Sequence, residues 1–228
     1  MSTALALVQG LWVRRRIEVL PPAGGPNSGR TGDAEAALRI GIIGESTAAG
    51  CGVDGHEDGF AGALARQLAG PDRVAEWSVV GEHGATARRI RHRLLPQLTG
   101  EFDVVVVLAG ANDVMARRSP EEWSEDLRAI VAELSARTGL VVVAGTPPFI
   151  AFPSLPRTLA RYLAHRGAAQ DAASRAVCAE TGNVRFVPSP PALVDDSFFS
   201  RDGFHPGAEG YRRWAELISD AIGEVSPR

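Results

Sequence analysis

Five short apolar runs recur along the chain with longer amphipathic stretches between them: Leu38–Ile43, Val74–Val80, Phe102–Ala109, Leu140–Gly145 and Val184–Val187. Three of the five are almost unbroken Val, Ile and Leu, the pattern of strands buried on both faces of a parallel sheet. The stretches between them have helical signals. Ser119-Pro120-Glu121-Glu122 has the form of a capping box with proline at the first helical position. Trp123, Leu127, Ile130, Val131 and Leu134 then fall on one stripe. A further helix is expected from about Arg157 to near Thr181, closing on Gly182 and Asn183. The last helix carries Tyr211, Trp214, Leu217, Ile218, Ala221 and Ile222 on one side. Alternating strand and helix of this length predict a three-layer α/β/α sandwich on five parallel strands.

The 228 residues suit one domain with an arm, and the pattern divides them into 1–37 and 38–228. The arm opens on an apolar stretch, Ala4–Val13, followed by Arg14, Arg15 and Arg16, and continues as a Pro/Gly-rich linker over 20–37. A secretory signal has positive charge before its apolar stretch and a small-residue cleavage site after it, and neither is present. No window reaches the roughly 18 apolar residues of a membrane span. A cytoplasmic protein is therefore expected, its arm packing Leu11 and Trp12 on the domain. A peripheral contact of the arm with a membrane surface is the second reading.

Composition removes several chemistries. All 24 Lys+Arg residues are arginine, so a Walker lysine, a Schiff-base lysine and a serine–lysine dyad are excluded. Two cysteines, Cys51 and Cys178, make neither a disulfide framework nor a structural zinc site, and Cys51 reads as a small buried hydrophobe. A net charge of −3 gives no reason to expect a nucleic-acid partner, and the basic cluster Arg88, Arg89, Arg91, His92, Arg93 reads as a solvated helix face. Nothing calls for a metal or other cofactor.

In an open parallel sheet functional groups gather in the loops after the strands. The first such loop, Gly44-Glu45-Ser46-Thr47-Ala48-Ala49-Gly50, presents a serine at a strand-to-helix turn. The second contains His83-Gly84, whose glycine amide is free to donate to an anion, and Thr86 suits the N-cap of the next segment. The third, Gly110-Ala111-Asn112-Asp113, presents a carboxamide, a recognised oxyanion donor. Near the C-terminus stands Asp202-Gly203-Phe204-His205, whose spacing lets a carboxylate hold an imidazole, the base-and-orienter half of a serine triad. Asp195 and Asp196 are the weaker candidates for the orienting acid. Each signal alone also fits a plainer role: a helix cap for Ser46, turn residues for Gly84 and Asn112, an Asx turn for Asp202.

Taken in order, these blocks resemble the SGNH (GDSL-type) hydrolase family over about Arg39 to Tyr211. The resemblance implies a flavodoxin-like sandwich. It also implies Ser46 as nucleophile, Asp202 and His205 as acid and base, and an oxyanion hole of the Ser46 and Gly84 amides and the Asn112 side chain. Two positions depart from the family pattern: Glu45 stands where aspartate is usual, and Thr47 where leucine is frequent. A G-x-S-x-G elbow is absent because position 48 is alanine, which disfavours the α/β-hydrolase family.

The expected activity is hydrolysis of small-molecule carboxylic esters through an acyl-enzyme. The loop Thr146–Pro156 supplies Phe149, Ile150, Phe152 and Leu155 as a possible substrate wall, or equally as core beneath a long connection. Two other classes share the scaffold: a flavodoxin-like nucleotide binder, which Glu45 disfavours by placing negative charge at the phosphate position, and a catalytically silent sugar- or lipid-binding module.

Overall fold

The computed structural model describes residues 3–35 and 37–223. Six strands form one sheet: β1 (Ser28–Thr31), β2 (Ala37–Gly44), β3 (Val74–Gly81), β4 (Phe102–Leu108), β5 (Thr138–Ala144) and β6 (Val184–Val187). Their order is β1-β3-β2-β4-β5-β6. The five expected strands are present and parallel. The sixth was not anticipated: β1 arises inside the stretch read as linker and pairs antiparallel with β3 at the sheet edge.

Among the described residues seven α-helices accompany the sheet: α1 (Thr3–Arg16), α2 (Phe60–Leu68), α3 (Ala87–Arg89), α4 (Ala111–Met115), α5 (Pro120–Ser135), α6 (Arg157–Cys178) and α7 (Ala208–Ile222). Pleating sends Ile40, Ile42, Val104, Val106 and Val142 to one face, where Phe60 and Leu64 of α2 and Tyr211, Ile218 and Ile222 of α7 cover them. Ile43, Val105, Val107, Val141 and Val143 point the other way, against Trp123, Leu127, Ile130 and Leu134 of α5 and Val177 of α6. This is the three-layer sandwich that the alternating pattern predicts.

Local signals account for several boundaries. At α5 the Glu122 N–H donates to Ser119 Oγ at 3.2 Å while the Ser119 N–H donates to Glu122 Oε2 at 2.8 Å, a complete capping box. Thr86 stands at the N-cap of α3 but makes no side-chain cap bond. The C-terminus of α6 differs from expectation: it ends at Cys178, Gly182 has no positive φ, and the Asn183 side chain donates to the Ser135 and Thr138 carbonyls instead.

The arm also differs. Its first part is the helix α1, whose buried side chains are Ala6 and Val13, while Leu11 and Trp12 are exposed. Its seat is α6, where the Leu159 N–H donates to Gln9 Oε1 at 3.1 Å.

Candidate active site

The chain leaves β2 for β3 on one side of the sheet and later returns to β4 on the other side. The loops after β2 and β4 therefore diverge and leave a crevice at the carboxyl ends of the strands, the usual ligand position in such sheets. Ser46 follows β2 and Asn112 follows β4. The two strands approach so closely at this end that a Cβ on Gly44 would lie 1.9 Å from the Leu108 carbonyl oxygen, so only glycine fits. The Glu45 N–H continues the ladder by donating to that same carbonyl at 2.9 Å. Gly110, at φ 124°, turns the chain from β4 into α4.

His205 lies 159 residues beyond Ser46 in the chain, yet its Nε2 is 3.0 Å from Ser46 Oγ. Its Nδ1 is 2.6 Å from Asp202 Oδ2. Asp202 is held in turn by three donors on Oδ1, the Ser200 hydroxyl and the Phe204 and His205 N–H groups, each at 2.9 Å. Burial alone would raise the Asp202 carboxyl. The hydrogen bonds from His205 and the two amides outweigh it and hold the group down at about 2. An ionised Asp202 accepts a hydrogen bond from Nδ1–H and so keeps the proton on Nδ1, which leaves Nε2 as the acceptor facing the Ser46 hydroxyl. Asp195 and Asp196 do not reach the histidine: Asp195 caps Ser197 and pairs with Arg213. Cys51 is fully buried, and burial pushes its thiol up to about 11, so no thiolate is available near Ser46.

The Glu45 side chain crosses the crevice to the first turn of α4. Oε1 accepts the Ala111 N–H at 3.1 Å, and Oε2 accepts the Asn112 N–H at 3.0 Å and the Asn112 side-chain amide at 2.6 Å. Asn112 Nδ2 also donates to the Ala85 carbonyl at 3.1 Å, so both of its amide hydrogens are engaged. Burial pushes the Glu45 carboxyl up to about 8, with the Asn112 and Ala111 donors opposing the rise and the Asp113 charge adding to it. Asp113 itself is fully buried, accepting the Ala87 N–H at 2.9 Å and pairing with Arg118 at 2.9 Å, and this ties α3 to α4. Neither anchoring role was visible in the sequence. The signal for the first was an acid lodged between Gly44 and Ser46.

Gly84 sits in an exposed turn at φ 78°. The ring of its neighbour His83 lies 5.9 Å from that of His205, centroid to centroid, tilted by 49°. Ser46, Asn112 and His205 all line the cleft. Of the four residues proposed as its wall, Phe152 alone takes part. Phe149 and Leu155 are buried in the apolar cluster beneath, and Ile150 faces outward at 51% exposure. The wall is completed by Met115 and Pro148, by Leu193, Val194 and Phe198 from the segment after β6, and by Trp214 of α7.

Fold and site together have the form of a hydrolase built on a doubly wound α/β sheet. The chain belongs to the GDSL-like lipase/acylhydrolase family, whose model matches residues 42–213. The arm precedes that match. The chain is similar to a GDSL-like esterase of Mycobacterium tuberculosis, with 29% identity over 216 residues, or 87% of this chain and 66% of that protein. It thus spans just under two thirds of the length of that relative. Among solved structures it is similar to TesA, with a TM-score of 0.62 and 22% identity over 81% of this chain and 98% of that one. It is also similar to a lipase/acylhydrolase from Enterococcus faecalis, with a TM-score of 0.58 and 21% identity over 84% and 98%. At those identities the likeness concerns the fold.

Proposed function

We propose that the protein is a serine esterase that cleaves carboxylic esters with an apolar acyl group. The observation that carries this reading is the unbroken chain Asp202–His205–Ser46, at 2.6 and 3.0 Å, opening onto a mostly apolar cleft. His205 Nε2 takes the Ser46 hydroxyl proton as Oγ bonds to the ester carbonyl carbon. Collapse of the tetrahedral intermediate breaks the carbon–oxygen bond to the alcohol, which leaves with the proton from His205. Water, deprotonated by the same imidazole, then releases the acid and restores Ser46.

The developing oxyanion is assigned to the Ser46 and Gly84 amides and the Asn112 carboxamide. Among the described residues the two amides donate to no protein acceptor, which suits that task. Asn112 contributes by exchanging its longer bond, the 3.1 Å one to the Ala85 carbonyl, for the oxyanion, while the 2.6 Å bond to Glu45 fixes the amide plane. The domain carrying this chemistry is taken as 38–228, with 1–37 as an accessory arm.

A fluorophosphonate probe tests the proposal. The wild-type chain should label at Ser46 and hydrolyse p-nitrophenyl esters with a preference set by acyl length. Ser46→Ala should abolish labelling and lower turnover on the order of 10⁶-fold. An unlabelled wild type, or a Ser46→Ala protein that still turns over, removes the reading.

A further inference from the structure

The large apolar side chains that the described residues expose are grouped. Leu5, Leu7, Val8, Leu11 and Trp12 belong to α1, Val19 follows it, and Met115 and Ile150 are the other two. Isolated exposed apolar residues are ordinary surface, whereas a contiguous set marks an interaction face. α1 is apolar on both sides. Ala6 and Val13 are buried against the domain, while Val8 at 64%, Leu11 at 63% and Trp12 at 48% exposure lie on the side away from it. A helix with apolar residues all round requires cover on both sides, and α6 supplies only one.

The chemistry of the missing cover is set by the last turn, Arg14-Arg15-Arg16, all exposed, with the Arg16 guanidinium 4.6 Å from the Trp12 ring centroid. Elsewhere the chain carries net negative charge, so this is a local concentration of cation beside an apolar face. The helix reaches toward the cleft through its buried side. Ala6 and Val13 share an apolar cluster with Ala111 and Phe152, which line the cleft, and Met115 both lines it and is exposed. Just past α1, Glu18 pairs at 3.0 Å with Arg201, the residue before Asp202.

We propose that α1 lies along the surface of an anionic phospholipid bilayer. Val8, Leu11 and Trp12 enter the acyl boundary, the three arginines meet lipid phosphates, and the mouth of the cleft is held beside the lipid. Complementary charge selects this occupant: arginine guanidinium and tryptophan indole together suit the headgroup level.

Co-sedimentation with vesicles of phosphatidylcholine alone and of phosphatidylcholine mixed with phosphatidylglycerol tests the proposal. Use of the Ser46→Ala chain reads binding without turnover and keeps the result separate from the fate of the proposed esterase chemistry. The chain should bind the phosphatidylglycerol vesicles, with a blue shift of tryptophan emission, and bind phosphatidylcholine weakly. Replacing Arg14, Arg15 and Arg16 by Gln should lower partition roughly 100-fold, and the pair Leu11→Ser, Trp12→Ser should lower it at least about tenfold. In the otherwise wild-type chain both variants should retain far-UV dichroism and turnover on a soluble ester. Absence of sedimentation, equal binding to both vesicle types, indifference to the substitutions, or a concentration-dependent dimer that α1 substitutions dissolve without any vesicle binding would each overturn the proposal.

Discussion

Replacing Glu45 with Gln isolates the ionisation of one buried carboxyl. In the unfolded chain this acid titrates at its ordinary 4.5, and in the fold at about 8. The folded protein therefore binds a proton that the unfolded chain has released at any pH between those values. With respect to this group stability is highest below 4.5. It falls by about 1.4 kcal/mol per pH unit as pH rises and levels off above 8, a total of about 5 kcal/mol. The glutamine side chain keeps the shape and one carbonyl acceptor but cannot titrate. Its amide nitrogen faces one of the three N–H groups that Glu45 receives, a fixed cost of about 1–3 kcal/mol that displaces the stability curve without changing its slope. Urea unfolding of both proteins at a series of pH values reads the difference. Relative to wild type, the variant should gain about 2.5 kcal/mol between pH 5 and pH 7. A difference that stays constant over that interval would refute the reasoning, and would mean that the three N–H donors keep the carboxylate ionised in the fold against its burial.

Two further perturbations bear on the same crevice. Asn112→Ala removes the proposed side-chain oxyanion donor, so kcat on a p-nitrophenyl ester should fall roughly 100- to 1000-fold while KM changes little; an unchanged kcat would take Asn112 out of the chemistry. Gly44→Ala places a methyl group 1.9 Å from the Leu108 carbonyl oxygen and forces β2 and β4 apart. Overpacking against backbone should cost about 3 kcal/mol or more, which for a chain of this size lowers Tm by roughly 6–12 °C. A thermal melt within one or two degrees of wild type would show that the strands part freely.

The sheet was legible because burial on both faces writes a strand as an unbroken apolar run, and β4 over Phe102–Leu108 is buried throughout. No such signal marks β1, whose sequence is Ser-Gly-Arg-Thr. It exists through backbone pairing along β3, and Gly29 leaves room for the Trp77 ring that crosses it, a Cβ there falling 2.4 Å from the indole. The convergence of Ser46, His205 and Asp202 could be anticipated because strand-end loops of a parallel sheet are neighbours wherever they stand in the chain. The cleft wall could not. Phe149 and Leu155 are as apolar as Phe152, and only packing separates core from wall. Leu193, Val194 and Phe198 lie in a proline-rich segment with short 3₁₀ turns and no periodicity to place it.

Position 45 joins these levels. Read as sequence, position 45 holds glutamate where the family it resembles usually has aspartate, one methylene longer. In the fold the side chain spans from the residue before Ser46 to the first turn of α4, and a single carboxyl receives the Ala111 and Asn112 backbone amides together with the Asn112 side chain. Those backbone amides are the open donors of a helix N-terminus, which an acid satisfies well. The bond that caps α4 therefore also sets the distance and orientation of Asn112 relative to Ser46. A shorter side chain at 45 should disturb the cap and the proposed oxyanion donor together, so loss of stability and loss of kcat should track each other across truncations at this position. Substitutions at Asn112, which leave the backbone cap in place, should separate the two effects.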